Sequence, residues 1–190
     1  VRLGMLTWNE ENQLACGAGG DPDRGLTPLG REAVRRMQAR GILPDVSHTS
    51  DRSFWDILKL AEGPVVASHS NCRALCDVRR NLTDEQLRAI RDTGGVIGVN
   101  VYHGFVHAEP RMQTAAMLAR HAAHIAETIG PEHVACGFDF CEYFGPGNEG
   151  CEGMESCAQT GNFFFELERL GFSAAERQGI ASENLLRVLE

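Results

Sequence analysis

Two short apolar runs, each ending in a histidine, constrain the fold of this chain more than any other feature. The first reads Asp-Val-Ser-His over residues 45–48, and the second reads Val-Val-Ala-Ser-His over residues 65–69. A polar stretch that can start a helix follows each histidine. Parallel α/β enzymes present metal ligands in this way, on the last residues of strands. The spacing predicts one β-α-β unit with both imidazoles on the same rim.

Short apolar strands alternate with helical segments along the whole chain. Strands are predicted over residues 1–8, 43–48, 65–69, 96–102 and 133–140. Three of the predicted helices begin after residues that favour the N-cap position, namely Thr27, Ser50 and Thr83. The strand segments are continuously apolar, as buried parallel strands are. Two architectures fit this order: an open doubly wound sheet, or part of a (β/α)8 barrel.

The residues at the strand ends favour the barrel. The chain lacks the glycine-rich nucleotide motifs that would support an open nucleotide-binding sheet. Potentially functional residues close nearly every predicted strand: Trp8 and Asn9, His48, His69, Asn100 to Tyr102, and Asp139. Barrel enzymes collect their active-site residues at this end of the strands. We therefore predict an α/β chain, one domain over residues 1–190, that forms the C-terminal part of a (β/α)8 TIM-type barrel.

Composition excludes several classes of protein. The 190 residues are 43% hydrophobic, enough for one substantial core, and the net charge of −8 argues against nucleic-acid binding. No apolar stretch approaches the roughly 20 residues of a membrane span. Seven irregularly spaced cysteines indicate reduced thiols rather than a disulfide scaffold. Without a visible signal peptide, a cytoplasmic location is expected. The strand-like opening at Val1 suggests a C-terminal fragment of a longer protein.

Five residues carry the chemistry that the pattern suggests. His48 and His69 together indicate a metal site, because neutral imidazoles are common ligands of hydrolytic zinc. Asp139 ends the last strand, where it is either a proton shuttle for metal-activated water or a turn-forming residue. The pair Arg79 and Arg80 is either a clamp for a substrate carboxylate or a solvated basic pair.

The other histidines are interpreted without metal. His103 and His107 are predicted to be exposed in a loop after the fourth strand. His121 and His124 lie one turn apart in a predicted helix over residues 111–129, and they are interpreted as a helix face because no third ligand accompanies them.

Several motifs in order along the chain resemble the membrane (renal-type) dipeptidases, the M19 metallopeptidases. The matching segments are residues 25–30 (GLTPLG), 45–50 (DVSHTS), 67–71 (ASHSN), 79–84 (RRNLTD), 94–100 (GGVIGVN), 137–140 (GFDF) and 183–189 (ENLLRVL). The resemblance covers essentially the whole chain. It implies an amidohydrolase-type barrel, a two-zinc centre and hydrolysis of dipeptides, often with a D-residue at the C-terminal position.

The resemblance also assigns roles by position. His48 and His69 match two ligands of one zinc, Arg80 matches the arginine that binds the terminal carboxylate of the dipeptide, and Asp139 matches the carboxylate that handles the proton. Substrate contacts are implied for Asn100, Tyr102 and Trp8, the last of which stands where the family has a histidine. Cys141 replaces a second acidic residue expected after Asp139.

The family's His-x-Asp pair and its metal-bridging glutamate would precede Val1. We therefore expect at most one partial metal site in these residues and no dipeptidase activity from them alone. A homodimer is the family's usual state. Two other functions remain open: a metal-dependent amidohydrolase acting on another small amide, and a non-catalytic barrel scaffold.

Overall fold

A computed structural model describes residues 1–190. Four strands are formed: β1 (Leu3–Met5), β2 (Leu43–Asp45), β3 (Ile97–Val99) and β4 (Val134–Cys136). The α-helices are α1 (Pro28–Gln38), α2 (Asp51–Leu58), α3 (Asp84–Asp92), α4 (His103–Val106), α5 (Ala115–Ile129), α6 (Thr160–Arg169), α7 (Ala174–Gln178) and α8 (Asn184–Leu189). None of these helices combines the length and the apolar character that a membrane span needs.

The strands form one parallel row whose centre is the segment 65–69. β1 pairs with β2, and β3 pairs with β4, both in parallel. Between the pairs, Val66 bridges to Asp45 and Ala67 bridges to Ile97, again in parallel. All carboxyl ends therefore meet at one edge, and the predicted α/β class is confirmed.

The regular strands are much shorter than the predicted ones, and residues 65–69 form only bridges. The chain leaves the extended conformation where the polar residues begin. His48 and Asp139 have φ values of 68° and 59°, in the left-handed region that non-glycine residues rarely adopt. These turns end the hydrogen-bonded ladder and direct the following side chains over the edge of the sheet.

The predicted helix starts are confirmed by their capping bonds. Thr27 Oγ1 accepts a hydrogen bond from the Gly30 amide at the start of α1, and Ser50 caps α2 in the same way. Thr83 and Gln86 form a reciprocal capping box at α3.

One predicted helix starts later than expected, and the last helical segment of the chain is irregular. The helix predicted over 111–129 begins at Ala115, because Thr114 caps it and a 3-10 turn over Pro110–Met112 precedes it. The final helix is interrupted by a π-helical turn over Gly179–Glu183.

The histidines outside the strand ends match the sequence prediction only in part, because His121 and His124 lie in helix α5 as expected but His103 and His107 are not in an exposed loop. His103 lies in the short helix α4, and it and His107 are half-buried, so the prediction of an exposed loop was wrong. His121 is completely buried beneath α4, while His124 Nε2 lies 2.7 Å from Asp84 Oδ1, within hydrogen-bond distance.

The core lies between the strand row and the helices packed on it. Phe54, Ile57, Leu87, Leu118 and Ile125 are among its fully buried side chains.

Close backbone packing holds the central strands together at the functional edge. A Cβ atom at Gly98 or at Gly137 would collide with the carbonyl oxygen of Ser68. These two glycines therefore permit β3 and β4 to approach the segment that carries His69.

Candidate metal centre

The two strand-end histidines lie side by side. The ring centroids of His48 and His69 are 4.8 Å apart and the rings are inclined by 61°. Both residues follow neighbouring members of the parallel row, so their side chains reach the same edge. The sheet therefore produces the convergence of imidazoles that the sequence pattern indicated.

Each ring uses one nitrogen for a protein hydrogen bond and keeps the other available. His48 Nδ1 lies 2.7 Å from Asn9 Oδ1, and His69 Nδ1 lies 2.7 Å from Ser68 Oγ. Because an amide oxygen only accepts, His48 carries its proton on Nδ1. Its Nε2 then presents a lone pair, which is the arrangement that outer hydrogen bonds impose on metal-binding histidines.

Electrostatics keeps both rings neutral. Burial, together with the nearby Arg80 and His69, lowers the pKa of His48 to about 3. Burial and Arg80 also lower the pKa of His69, although Asp139 and Asp45 oppose that change. Neutral imidazoles are the form that binds a metal. The donor set thus fits zinc or a similar divalent ion. No three His, Cys, Asp or Glu side chains of the chain lie close enough together to hold a metal ion.

Arg80 lies beside the histidines and has a hydrogen-bond donor without a partner. It is 9% exposed, its Nη2 donates to the carbonyl oxygen of His69 at 3.4 Å, and its Nε has no partner. The guanidinium carbon lies 5.2 Å from the ring centroid of Phe105. Burial lowers the pKa of Arg80 to about 10, which leaves it cationic at neutral pH. Arg79 instead donates to the carbonyl oxygen of Gly20.

Asp139 faces the histidines from the last strand. Its Oδ2 lies 4.0 Å from His69 Nε2 and accepts a hydrogen bond from Asn100 Nδ2 at 3.2 Å. The side chain is 44% exposed, so it is accessible from the cavity and from solvent. Cys141 Sγ lies 3.8 Å from the other carboxylate oxygen, Oδ1.

Asn100 is a buried support rather than part of the cavity wall. Its backbone amide donates to Asn71 Oδ1 at 2.9 Å, and its own Oδ1 accepts from the Tyr102 amide at 2.7 Å. Because its Nδ2 also donates to Asp139, Asn100 connects the end of β3 to the segment that follows β4. The structure therefore places it behind the carboxylate, without the substrate exposure that the resemblance implied.

An open cavity of about 930 Å³ lies over this edge of the sheet. Its wall includes Trp8, His48, His69, Arg80, Tyr102 and Asp139, together with Asn9, Arg79 and Cys141. Trp8 is 70% exposed and its ring centroid lies 6.1 Å from that of His48. The cavity thus brings two neutral imidazoles, one buried cation and one carboxylate to a common space.

Two supporting residues were missed by sequence reasoning. Ser68 directly precedes His69, so its polar character at a strand end was an available signal. Phe105 had no such signal, because only the fold brings its ring under Arg80.

The chain is similar to known dipeptidases over most of its length. The family model described as membrane dipeptidase (peptidase family M19) matches residues 1–190. An uncharacterized dipeptidase of Schizosaccharomyces pombe is 32% identical over 195 residues, covering 99% of this chain and 46% of that protein. An uncharacterized protein from the pqqA 5′ region of Klebsiella pneumoniae is 42% identical over 142 residues, covering 70% of this chain and 52% of that protein.

Solved structures agree with the sequence relatives. A metallopeptidase from Rhodobacter sphaeroides, liganded with a phosphinate mimic of the dipeptide L-Ala-D-Ala, has a TM-score of 0.88 and 28% identity, with 100% of this chain and 55% of that chain covered. A dipeptidase of family M19 has a TM-score of 0.89 at 28% identity, with 100% and 57% covered. The chain spans about half the length of the relatives that it matches. It belongs to the membrane dipeptidase family of metallopeptidases, peptidase family M19.

Proposed function

We propose that the protein containing this chain is a zinc-dependent dipeptidase that cleaves the amide bond of dipeptides with metal-activated water. The observation that carries the proposal is the pairing of two neutral imidazoles with a buried arginine that has an unpartnered donor. The two imidazoles suit a metal ion, and the arginine suits a substrate carboxylate held near that metal. A dipeptide has its scissile amide next to such a carboxylate.

The proposed roles follow from the chemistry of each side chain. His48 and His69 would hold one divalent ion through their Nε2 atoms. When bound, such an ion lowers the pKa of water and polarises a carbonyl group. Arg80 binds the terminal carboxylate through charge-assisted hydrogen bonds and thereby excludes peptides that extend further. Asp139, oriented by Asn100, accepts the proton of the attacking water and returns it to the leaving amine.

Two finer features belong to the same proposal. The parallel row of strand segments, and structural neighbours about twice as long, support a (β/α)8 barrel in the whole protein. The ligand of the Rhodobacter sphaeroides relative mimics a dipeptide with a D-residue. We propose that this protein likewise accepts a C-terminal D-residue, with zinc as its native metal.

The test uses the whole protein loaded with zinc and two matched substrates, L-Ala-D-Ala and its C-terminal amide. Arg80→Gln should reduce kcat/KM for the dipeptide about 30-fold, equivalent to about 2 kcal/mol for a charge-assisted hydrogen bond, and should not affect the amide. Arg88→Gln removes a charge from an exposed position of α3 and is the control.

The outcomes separate the competing functions. Equal turnover of the dipeptide and its amide by the wild type would refute the role of Arg80. Hydrolysis of lactams or N-acyl amino acids without dipeptide turnover would favour another amidohydrolase. Absence of both zinc and turnover would indicate a binding scaffold.

A further inference from the structure

A buried carboxylate lies three residues before His48 and has no role in the proposed chemistry. Asp45, the last residue of β2, is 1% exposed. Its Oδ1 accepts hydrogen bonds from the backbone amides of Ser47 and Ser68, both at 3.0 Å. Its Oδ2 has no hydrogen-bond partner. A buried charged oxygen without a partner is unfavourable unless an opposite charge compensates it.

Asp45 lies at the point where the main-chain hydrogen bonds between the two histidine-bearing segments end. The last main-chain bond between the two histidine-bearing segments runs from the Val46 amide to the Val66 carbonyl oxygen. Beyond it, the backbone turns at His48 into the left-handed region and the strands can no longer pair. Side chains continue the connection instead, because Asp45 Oδ1 holds the amide of Ser68.

Ser47 makes a second connection of the same kind. Its Oγ accepts a hydrogen bond from the backbone amide of His69 at 3.0 Å, and Ser47 is completely buried. The Ser47 amide itself is bound to Asp45. Two side-chain acceptors on the segment of His48 therefore hold two consecutive amides on the segment of His69.

These bonds fix the imidazoles as well as the backbone. Ser68, whose amide binds Asp45, has its hydroxyl 2.7 Å from His69 Nδ1. A displacement of Asp45 would therefore move the partner that orients the His69 ring. It would also alter the separation of the two rings, because Ser47 directly precedes His48.

The charge of Asp45 acts on the same site. The carboxylate interacts electrostatically with His69 and with Arg80, which is the buried cation nearest to the histidine pair. Asp139 raises the pKa of His69 and of Arg80 in the same direction as Asp45 does. A divalent ion at the histidines would therefore lie in a field that two carboxylates make negative.

We propose that Asp45 is a positioning residue of the metal centre: its Oδ1 holds the strand ends that carry His48 and His69 in register, and its unpaired Oδ2 supplies negative charge to the bound cation. The inference rests on the proposed function, since it assumes that the two histidines bind metal. It predicts that zinc affinity depends on a residue that is not a zinc ligand.

Two variants separate the contributions of charge and register. Asp45→Asn keeps an oxygen that can accept the two amides but removes the charge. Ser47→Ala keeps the charge but removes the hydroxyl that accepts the His69 amide and that also lies near Ser68 Oγ and Ser70 Oγ. Zinc affinity of the whole protein is measured by competition with a chelator. We expect a 10- to 100-fold loss for Asp45→Asn, the range typical of outer partners of metal ligands, and a smaller loss for Ser47→Ala.

The matched control is Asp56→Asn. Asp56 is 3% exposed and its carboxylate also accepts a backbone amide, that of Leu26, but it lies in α2 and contacts neither histidine. This variant should bind zinc as the wild type does. The cobalt-substituted protein provides a second readout, because its visible spectrum reports the ligand geometry at the histidines and should change in Ser47→Ala.

The outcomes distinguish this inference from the proposed function. Wild-type zinc affinity in folded Asp45→Asn and Ser47→Ala would overturn the inference alone, and so would an equal loss in Asp56→Asn. A wild-type protein that binds no zinc would overturn the proposed function itself. If Asp45→Asn does not fold, Ser47→Ala, which removes a single hydroxyl, decides the question.

Discussion

Acid should destabilise this protein through one buried histidine that lies outside the metal centre. His121 is completely buried in α5, and both of its nitrogens have fixed partners. Its Nδ1 accepts a hydrogen bond from the Cys72 amide at 3.1 Å, and its Nε2 donates to the Val106 carbonyl oxygen at 2.8 Å. A proton on Nδ1 would face the amide hydrogen of Cys72 and would break this bond.

The size of the effect follows from the pKa. Burial lowers the pKa of His121 from its ordinary value of 6.5 to about 4, although the bond to Val106 opposes the change. As the pH falls below 6.5, His121 is protonated in the unfolded chain, but in the folded chain it stays neutral until about pH 4. The folded state therefore loses stability over this interval, by about 2 kcal/mol between pH 7 and pH 5 and by about 3 kcal/mol at pH 4.

Urea unfolding of the wild type and of His121→Asn across this pH range measures the effect. The asparagine oxygen can accept the Cys72 amide but does not titrate, so the variant should be less stable at pH 7 because the bond to Val106 is lost. The difference in unfolding free energy between the two proteins should shrink by about 2 kcal/mol from pH 7 to pH 5. A difference that stays constant with pH would refute the reasoning.

Three further substitutions test the fold and the site. Gly98→Ala should destabilise the protein by several kcal/mol in thermal unfolding, because the new methyl group collides with the Ser68 carbonyl oxygen, and near-wild-type stability would contradict the packing described. Thr83→Ala should lower the free energy of unfolding by about 1 kcal/mol through loss of the capping box, and Thr83→Ser should restore most of it. Phe105→Leu should raise KM for a dipeptide about fivefold with little change in kcat, because the ring stabilises the Arg80 guanidinium by about 1 kcal/mol. An equal effect on the C-terminal amide of the dipeptide would show that Phe105 acts elsewhere.

The location of the site could be predicted from the sequence because parallel strands end at one edge. Two apolar runs closing in histidine were enough to place His48 and His69 together, and the rings lie 4.8 Å apart. The helix starts were equally predictable, since a cap such as Thr27 bonds to an amide only three residues away. Local chemistry of this kind needs no knowledge of the remaining fold.

The orientation of the side chains was decided by tertiary structure alone. Arg79 and Arg80 are identical in type and adjacent, yet only Arg80 is buried over Phe105 with its Nε unpartnered. Asn100 had the position of a substrate ligand but became a buried support for Asp139. Such outcomes depend on contacts between residues distant in sequence, which no local pattern records.

The sequence by itself determined the class of the fold, the order of its elements and the edge at which the polar residues gather, because apolar periodicity and caps act over short distances. Only the tertiary structure decided which nitrogen of each imidazole is free and which carboxylate holds the strand ends. Those properties arise from hydrogen bonds such as Asn9 to His48 and Asp45 to Ser68, whose partners lie 39 and 23 residues apart.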